Sequence, residues 1–151
     1  ALFLSMTDKE IRTQFQRNLE TVPHAKGVNN HMGSRFTEDT EKMLVVMTAL
    51  KEKGLFFVDS RTTKDSKARE AADKIGVPFL TRKIFIDNDH NYQASLENLT
   101  RWLEDPGMQG NGPVLFIGHP YPSTILAIRD AVSSLRAKGI EIVPVSKIVP
   151  Q

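Results

Sequence analysis

Two histidines stand where apolar runs give way to polar turns, and each could do chemistry. His119 lies in Ile117-Gly118-His119-Pro120. Proline restricts the residue before it to extended or turn conformations, so the imidazole is held in one place at the end of an apolar run. A proton donor or acceptor fixed in space is what general acid/base catalysis requires. The plainer reading is a histidine that caps the helix after it. His31 lies in Asn29-Asn30-His31-Met32-Gly33-Ser34-Arg35. Asn is a poor strand former, and glycine admits close backbone approach, so this stretch is shaped for more than strand pairing. The functional reading of His31 is metal ligation through neutral imidazole, against an ordinary surface histidine.

Carboxylates and hydroxyls occupy equivalent places. Asp59-Ser60-Arg61-Thr62 follows the run Leu55-Phe56-Phe57-Val58, and Asp87-Asn88-Asp89-His90 follows Ile84-Phe85-Ile86. Asp59 and Asp87 could orient a histidine, bind substrate, or pair with Arg35, Arg61 or Arg82, and a structural ion pair is the default for either. Tyr121 and Trp102 could contact a sugar face, although core packing is the default for a lone aromatic. His24 and His90 fall in loops without an assigned role. The glycine-rich nucleotide motifs and the G-x-S-x-G nucleophile elbow are absent from the sequence, which counts against nucleotide binding and serine-hydrolase chemistry.

These residues need elements to position them, and the punctuation of the chain supplies them. Thr7-Asp8-Lys9-Glu10 has the form of a capping box, followed by Ile11, Phe15 and Leu19 on one helical face. Residues 26–30 read as a short strand. Thr37 is the expected N-cap of the next helix, whose buried stripe is Met43, Leu44, Met47 and Leu50 and whose stop is Lys53-Gly54. The apolar run 55–58 suits a strand covered on both faces. Helices are expected over about 65–75, 92–104 and 123–138, the second closed by Asp105-Pro106-Gly107, with strands at 84–86, 114–117 and 142–145. Pro144 makes the last strand's ladder imperfect. Strand and helix alternate, which implies a parallel sheet with right-handed crossovers. In such sheets ligand sites lie at the carboxyl ends of the strands, where the residues above all fall.

Composition sets the remaining bounds. The chain has 151 residues, 40% hydrophobic and 25% charged, which fits a single domain over residues 1–151. The net charge is +2 with the basic residues scattered, so a nucleic-acid partner is not expected. No apolar run approaches the roughly 18–20 residues of a membrane-spanning helix. There is no cysteine, so thiolate chemistry is excluded and any metal must be held by His, Asp, Glu or water. The apolar stub Ala1-Leu2-Phe3-Leu4 reads as the continuation of an earlier segment. Nothing in the sequence sets an oligomeric state.

The residues from Gly27 to Thr37 closely resemble the signature of the divergent polysaccharide deacetylase family, relatives of the NodB-like carbohydrate esterases. Further blocks follow in order: Gly54 to Thr62, Phe85 to Asn88, Ile117-Gly118-His119-Pro120 with Thr124, and Gly139-Ile140 with Val143 to Ser146. The resemblance implies a distorted (β/α) barrel of about seven or eight strands. The family's opening Asp-Asp pair and its His-x-Pro-Met-type block are not found, so the N-terminal strands are expected to lie outside this chain. It further implies a metal-dependent hydrolase that removes acetyl groups, from amide or ester, from an acetylated polysaccharide or glycan. A divalent metal, zinc first, would activate water and stabilise the oxyanion, with an Asp outside this chain as base. His31 would be one metal ligand, and His119 would protonate the leaving amine. Asp59 joins His119 as a catalytic candidate. Asn29, Asn30, Ser34, Arg35, Ser60, Arg61, Asp87 and Asn88 would shape and bind substrate. The Asn-Asn-His block differs from the His-x-x-x-His form of ordinary members. A bacterial envelope or extracellular location follows from the resemblance alone. The alternative is a catalytically inactive carbohydrate- or envelope-protein-binding domain on the same barrel.

Overall fold

The first helix, α1 (Asp8–Glu20), starts as its sequence dictates. Thr7 Oγ1 accepts from the Glu10 backbone N–H at 3.3 Å, and Glu10 Oε2 accepts from the Thr7 N–H at 2.7 Å, satisfying two donors at the helix start. The computed structural model describes residues 1–104 and 112–150. The expected helix stop at Asp105-Pro106-Gly107 lies outside the described residues. The chain divides into two compact units, the first built on Ala1–Thr81 and the second on Arg82–Ile148.

In the first unit α1 is followed by β1 (Gly27–Asn29), α2 (Ser34–Thr37), α3 (Thr40–Glu52), β2 (Phe56–Asp59), α4 (Ala68–Ile75) and β3 (Phe79–Thr81). The three strands are parallel in the order β1-β2-β3, with Val28 opposite Phe57 and Val58 opposite Leu80. Phe57 and Val58 of the central strand are buried, as an apolar run covered on both faces should be. Ile11 and Phe15 from α1, Met43, Met47 and Leu50 from α3, and Phe57 and Phe79 from the sheet form one core. Ala68, Ala71 and Ala72 bring α4 against it with no side chain beyond Cβ. α3 ends at Gly54, whose φ of 65° favours glycine, and the Leu55 N–H then returns to the Leu50 carbonyl at 3.0 Å.

The second unit carries β4 (Ile84–Phe85), α5 (Tyr92–Thr100), a 3-10 turn at Arg101–Glu104, β5 (Phe116–Ile117), α6 (Pro122–Ala137) and a 3-10 turn at Val145–Lys147. β4 and β5 pair in parallel, Ile84 opposite Phe116 and Phe85 opposite Ile117. Beneath them Ile86, Leu99, Ala127, Ala131 and Leu135 form a second core. Trp102 packs edge-on against Phe116 at 5.8 Å and donates to the Leu99 carbonyl at 2.7 Å, so it serves the core.

Several expectations are corrected. Among the described residues the strands make a three-stranded and a two-stranded parallel sheet, neither closed into the expected barrel; closure takes about eight strands. Residues 142–145 form no strand; Pro144 lacks the N–H that a ladder needs, and a 3-10 turn begins immediately after it. Asp39 rather than Thr37 caps α3, accepting from the Lys42 N–H at 2.9 Å, while Thr37 ends α2. Phe79–Thr81, unassigned in the sequence, is a strand.

Candidate functional site

In the first unit, the loops after β1 and β2 are laced together by side chains. Asn30 Oδ1 accepts from the Ser60 backbone N–H at 2.8 Å, and Asn29 Nδ2 donates to Ser60 Oγ at 3.2 Å. Ser34 Oγ donates to the Thr62 carbonyl at 3.2 Å. Asp59 is buried, and its Oδ1 accepts from the Arg61 backbone N–H at 2.7 Å, so its partner is main chain two residues on. That bond holds Arg61 at a φ of 48°. Met32, also at positive φ (61°), is 71% exposed at the tip of the first loop. His31 and Arg35 are exposed. Among the described residues no three His, Asp or Glu side chains gather as a metal ion needs. The donor set around His31 therefore does not fit a zinc site built from these residues, since zinc takes three or four protein ligands.

The second unit holds a tighter arrangement. The Asp87 side chain is fully buried and follows β4, while His119 follows β5 with its side chain 29% exposed. Asp87 Oδ2 accepts from the His119 backbone N–H at 2.6 Å and from Thr124 Oγ1 at 2.7 Å. Asp87 Oδ1 lies 3.1 Å from His119 Nδ1. Burial by itself would raise the Asp87 carboxyl; hydrogen bonds from Thr124 and from the His119 backbone and ring, with the charge of that ring, outweigh it and hold the group below its ordinary value. An ionised carboxylate can only accept, so the proton of this contact sits on Nδ1.

Gly118 makes the approach possible. A Cβ there would lie 3.2 Å from the Ile86 Cβ and 3.2 Å from the Thr124 methyl, too close to fit without a shift. Rings flank the histidine: Phe85 at 5.4 Å, and Tyr121 at 5.1 Å, itself 4.5 Å from His90. His90 holds a φ of 48°, and its N–H donates to the Asp87 carbonyl at 3.2 Å. Asn88 is exposed in the same turn.

The structure thus brings Asp87 and His119 together, and separately Asn29, Asn30, Ser34 and Ser60. The partners of the Asp87 carboxylate are His119 and Thr124, where the sequence favoured an arginine. Thr124 was named only within a family block, Tyr121 was weighed as a sugar contact against a core default, and His90 was assigned no role. A threonine in the first turn of the helix after a strand-end histidine is the signal that points to the first of them.

Asp87 also sets a pH dependence. A carboxylate whose folded pKa is depressed adds stability that is fully present above its unfolded value, near 3.9, and lost as pH falls through the folded value. Urea midpoints measured from pH 6 to pH 2 should fall below pH 4, and the Asp87→Asn protein should show a shallower fall. Equal slopes would contradict this role.

Each unit is a parallel α/β arrangement with polar and ionisable groups behind its strand ends. The chain belongs to the divergent polysaccharide deacetylase family, whose model matches residues 1–149. It is 35% identical over 130 residues to the uncharacterized protein YibQ of Escherichia coli, covering 86% of this chain and 40% of that protein. It is also 35% identical over 134 residues to an uncharacterized protein of Haemophilus influenzae, covering 89% of this chain and 47% of the other. The chain thus spans less than half the length of these relatives. The crystal structure of an uncharacterized Agrobacterium tumefaciens protein superposes with a TM-score of 0.84 at 23% identity, over 96% of this chain and 58% of that one; this likeness is one of fold.

Proposed function

We propose that this chain carries the acid/base histidine of an extracytoplasmic hydrolase that removes acetyl groups from a polysaccharide or glycan. The observation that supports the reading is the buried Asp87 carboxylate 3.1 Å from Nδ1 of a part-exposed His119. In the hydrolysis, water oxygen bonds to the acyl carbon and the bond to the sugar nitrogen or oxygen breaks. The electron pair stays on that atom, and His119 in its imidazolium form delivers a proton to it from Nε2. Asp87 holds the ring in place and stabilises its charge. The proton of the attacking water goes to a second base. Asn88, in the turn after β4, is a proposed substrate contact beside the dyad. In the first unit Asp59 fixes the turn that carries Ser60 and Arg61, and these two with Asn29, Asn30, Ser34 and Arg35 are proposed as glycan contacts of that unit. His31 on its own does not make a metal site, and no step of the proposal passes through a metal.

A second reading is a binding domain without activity. The rings of Phe85, His119, Tyr121 and His90 form a row that could hold a sugar without reacting with it. One experiment separates the two: the chain is incubated with an acetylated chitooligosaccharide and with an O-acetylated polysaccharide, with and without added zinc, and acetate is measured by NMR. Release that falls about 10²–10⁴-fold in His119→Ala, with an unchanged circular dichroism spectrum, supports the hydrolase. Glycan binding without release under any of these conditions overturns it in favour of the binding domain.

A further inference from the structure

We propose that Thr124 is a positioning residue, which aims the Asp87 carboxylate so that one of its oxygens is reserved for His119. This rests on the acid/base reading of His119. The terminal torsion of an Asp side chain is broad and nearly two-fold, so a buried carboxylate with a single partner can rotate and divide its oxygens among neighbours. Here Oδ2 is taken by two short donors, the His119 backbone N–H at 2.6 Å and Thr124 Oγ1 at 2.7 Å. Two donors on one oxygen set the plane of the group, and Oδ1 is then presented to Nδ1 at 3.1 Å.

Thr124 suits the task better than a longer donor would. It is 1% exposed, so its hydroxyl has no competing water. It sits in the first turn of α6, two residues after Pro122 at the helix start, a position with little freedom. Its β-branch limits χ1, and its methyl is the group that a Cβ at Gly118 would meet at 3.2 Å. One arm of the side chain therefore packs beside the glycine that precedes His119, and the other binds the carboxylate. The titratable group facing the Asp87 carboxylate is His119. Beyond it Tyr121 and His90 stack in turn, and Arg82 lies over Phe85 at 5.2 Å.

The test compares Thr124→Val, which keeps the shape and loses the hydroxyl, with Thr124→Ser, which keeps the hydroxyl. Both are made in the full chain. The imidazole nitrogens of His119 and the carboxyl carbon of Asp87 are followed by NMR through a pH titration. In Thr124→Val the Asp87 titration should move up toward the ordinary carboxylate range and the Nδ1 proton should exchange faster. Thr124→Ser should restore both. Where acetate release is present, kcat in the valine variant should fall about tenfold with KM unchanged, the loss of about one hydrogen bond's worth of positioning. Unchanged His119 and Asp87 signals in Thr124→Val, or a serine variant that behaves like valine, would overturn the proposal. Should the valine variant fail to fold, the wild-type hydroxyl proton decides: slow exchange of the Thr124 hydroxyl supports the bond, and exchange at the rate of solvent-exposed hydroxyls refutes it. These spectra report on Thr124 even when no acetate is released, so failure of the hydrolase reading and failure of this one are told apart.

Discussion

Asp87→Ala is expected to cost about 3–5 kcal/mol of folding stability, read as a lower urea midpoint at pH 7. The substitution removes the acceptor of the His119 backbone N–H and of the Thr124 hydroxyl. Thr124 is 1% exposed, so its hydroxyl cannot turn to water. Asp87→Asn separates packing from charge. Its single carbonyl oxygen can still serve the two donors now held by Oδ2, which places the amide N–H₂ against His119 Nδ1. A donor facing a donor is untenable, so the ring must shift its proton to Nε2. Stability should then fall by only about 1–2 kcal/mol. Acyl release, however, should fall nearly as far as in His119→Ala, because the neutral ring can no longer accept a proton at Nε2 and its imidazolium has lost its counter-charge. Imidazole nitrogen shifts that match the wild type in Asp87→Asn would contradict the dyad.

The elements that were legible from the sequence are those with local causes. The capping box at Thr7 and Glu10, the stripe Met43-Met47-Leu50 (its fourth expected member, Leu44, is only partly buried) and the apolar run through Phe57 and Val58 each carry their determinants within a few residues. What was illegible depends on partners far along the chain. Phe79–Thr81 becomes a strand because β2 offers it a ladder, with Val58 opposite Leu80. Residues 142–145 have β-type composition and form none, since Pro144 interrupts the donors. Thr37 was read as the cap because α2 is a four-residue helix, too short to leave a periodic signature.

The candidate site divides along the same line. The polar character of each strand end was readable, and so were His119 and Asp87 as residues to watch. Their pairing was not, because they are 32 positions apart and adjoin only through the β4–β5 ladder. The default ion pair with an arginine is not what holds Asp87: its oxygens are taken by the His119 backbone N–H and ring and by the Thr124 hydroxyl. The resemblance made Asn29 and Asn30 substrate contacts, and their unsuitability in a strand marked the stretch as shaped for more than pairing. Their side chains also tie the first loop to the second, a use that the same unsuitability serves equally well.

Leu50→Ala is expected to cost about 2–5 kcal/mol, the range for emptying a fully enclosed leucine site. Leu50 is 0% exposed and packs in the core that joins α1, α3 and the sheet of the first unit. Its backbone carbonyl also receives the Leu55 N–H that closes the helix, so the helix end and the entry to β2 share the damage. Leu44, six residues earlier in α3, is only partly buried, and its alanine variant should lose markedly less. Thermal denaturation with a matched urea series checks both. The comparison also bears on chemistry. The dyad belongs to the second unit and Leu50 to the core of the first, so Leu50→Ala, assayed well below its midpoint, should leave acetate release per folded molecule within about twofold of wild type. A loss as deep as that of Asp87→Asn would contradict this.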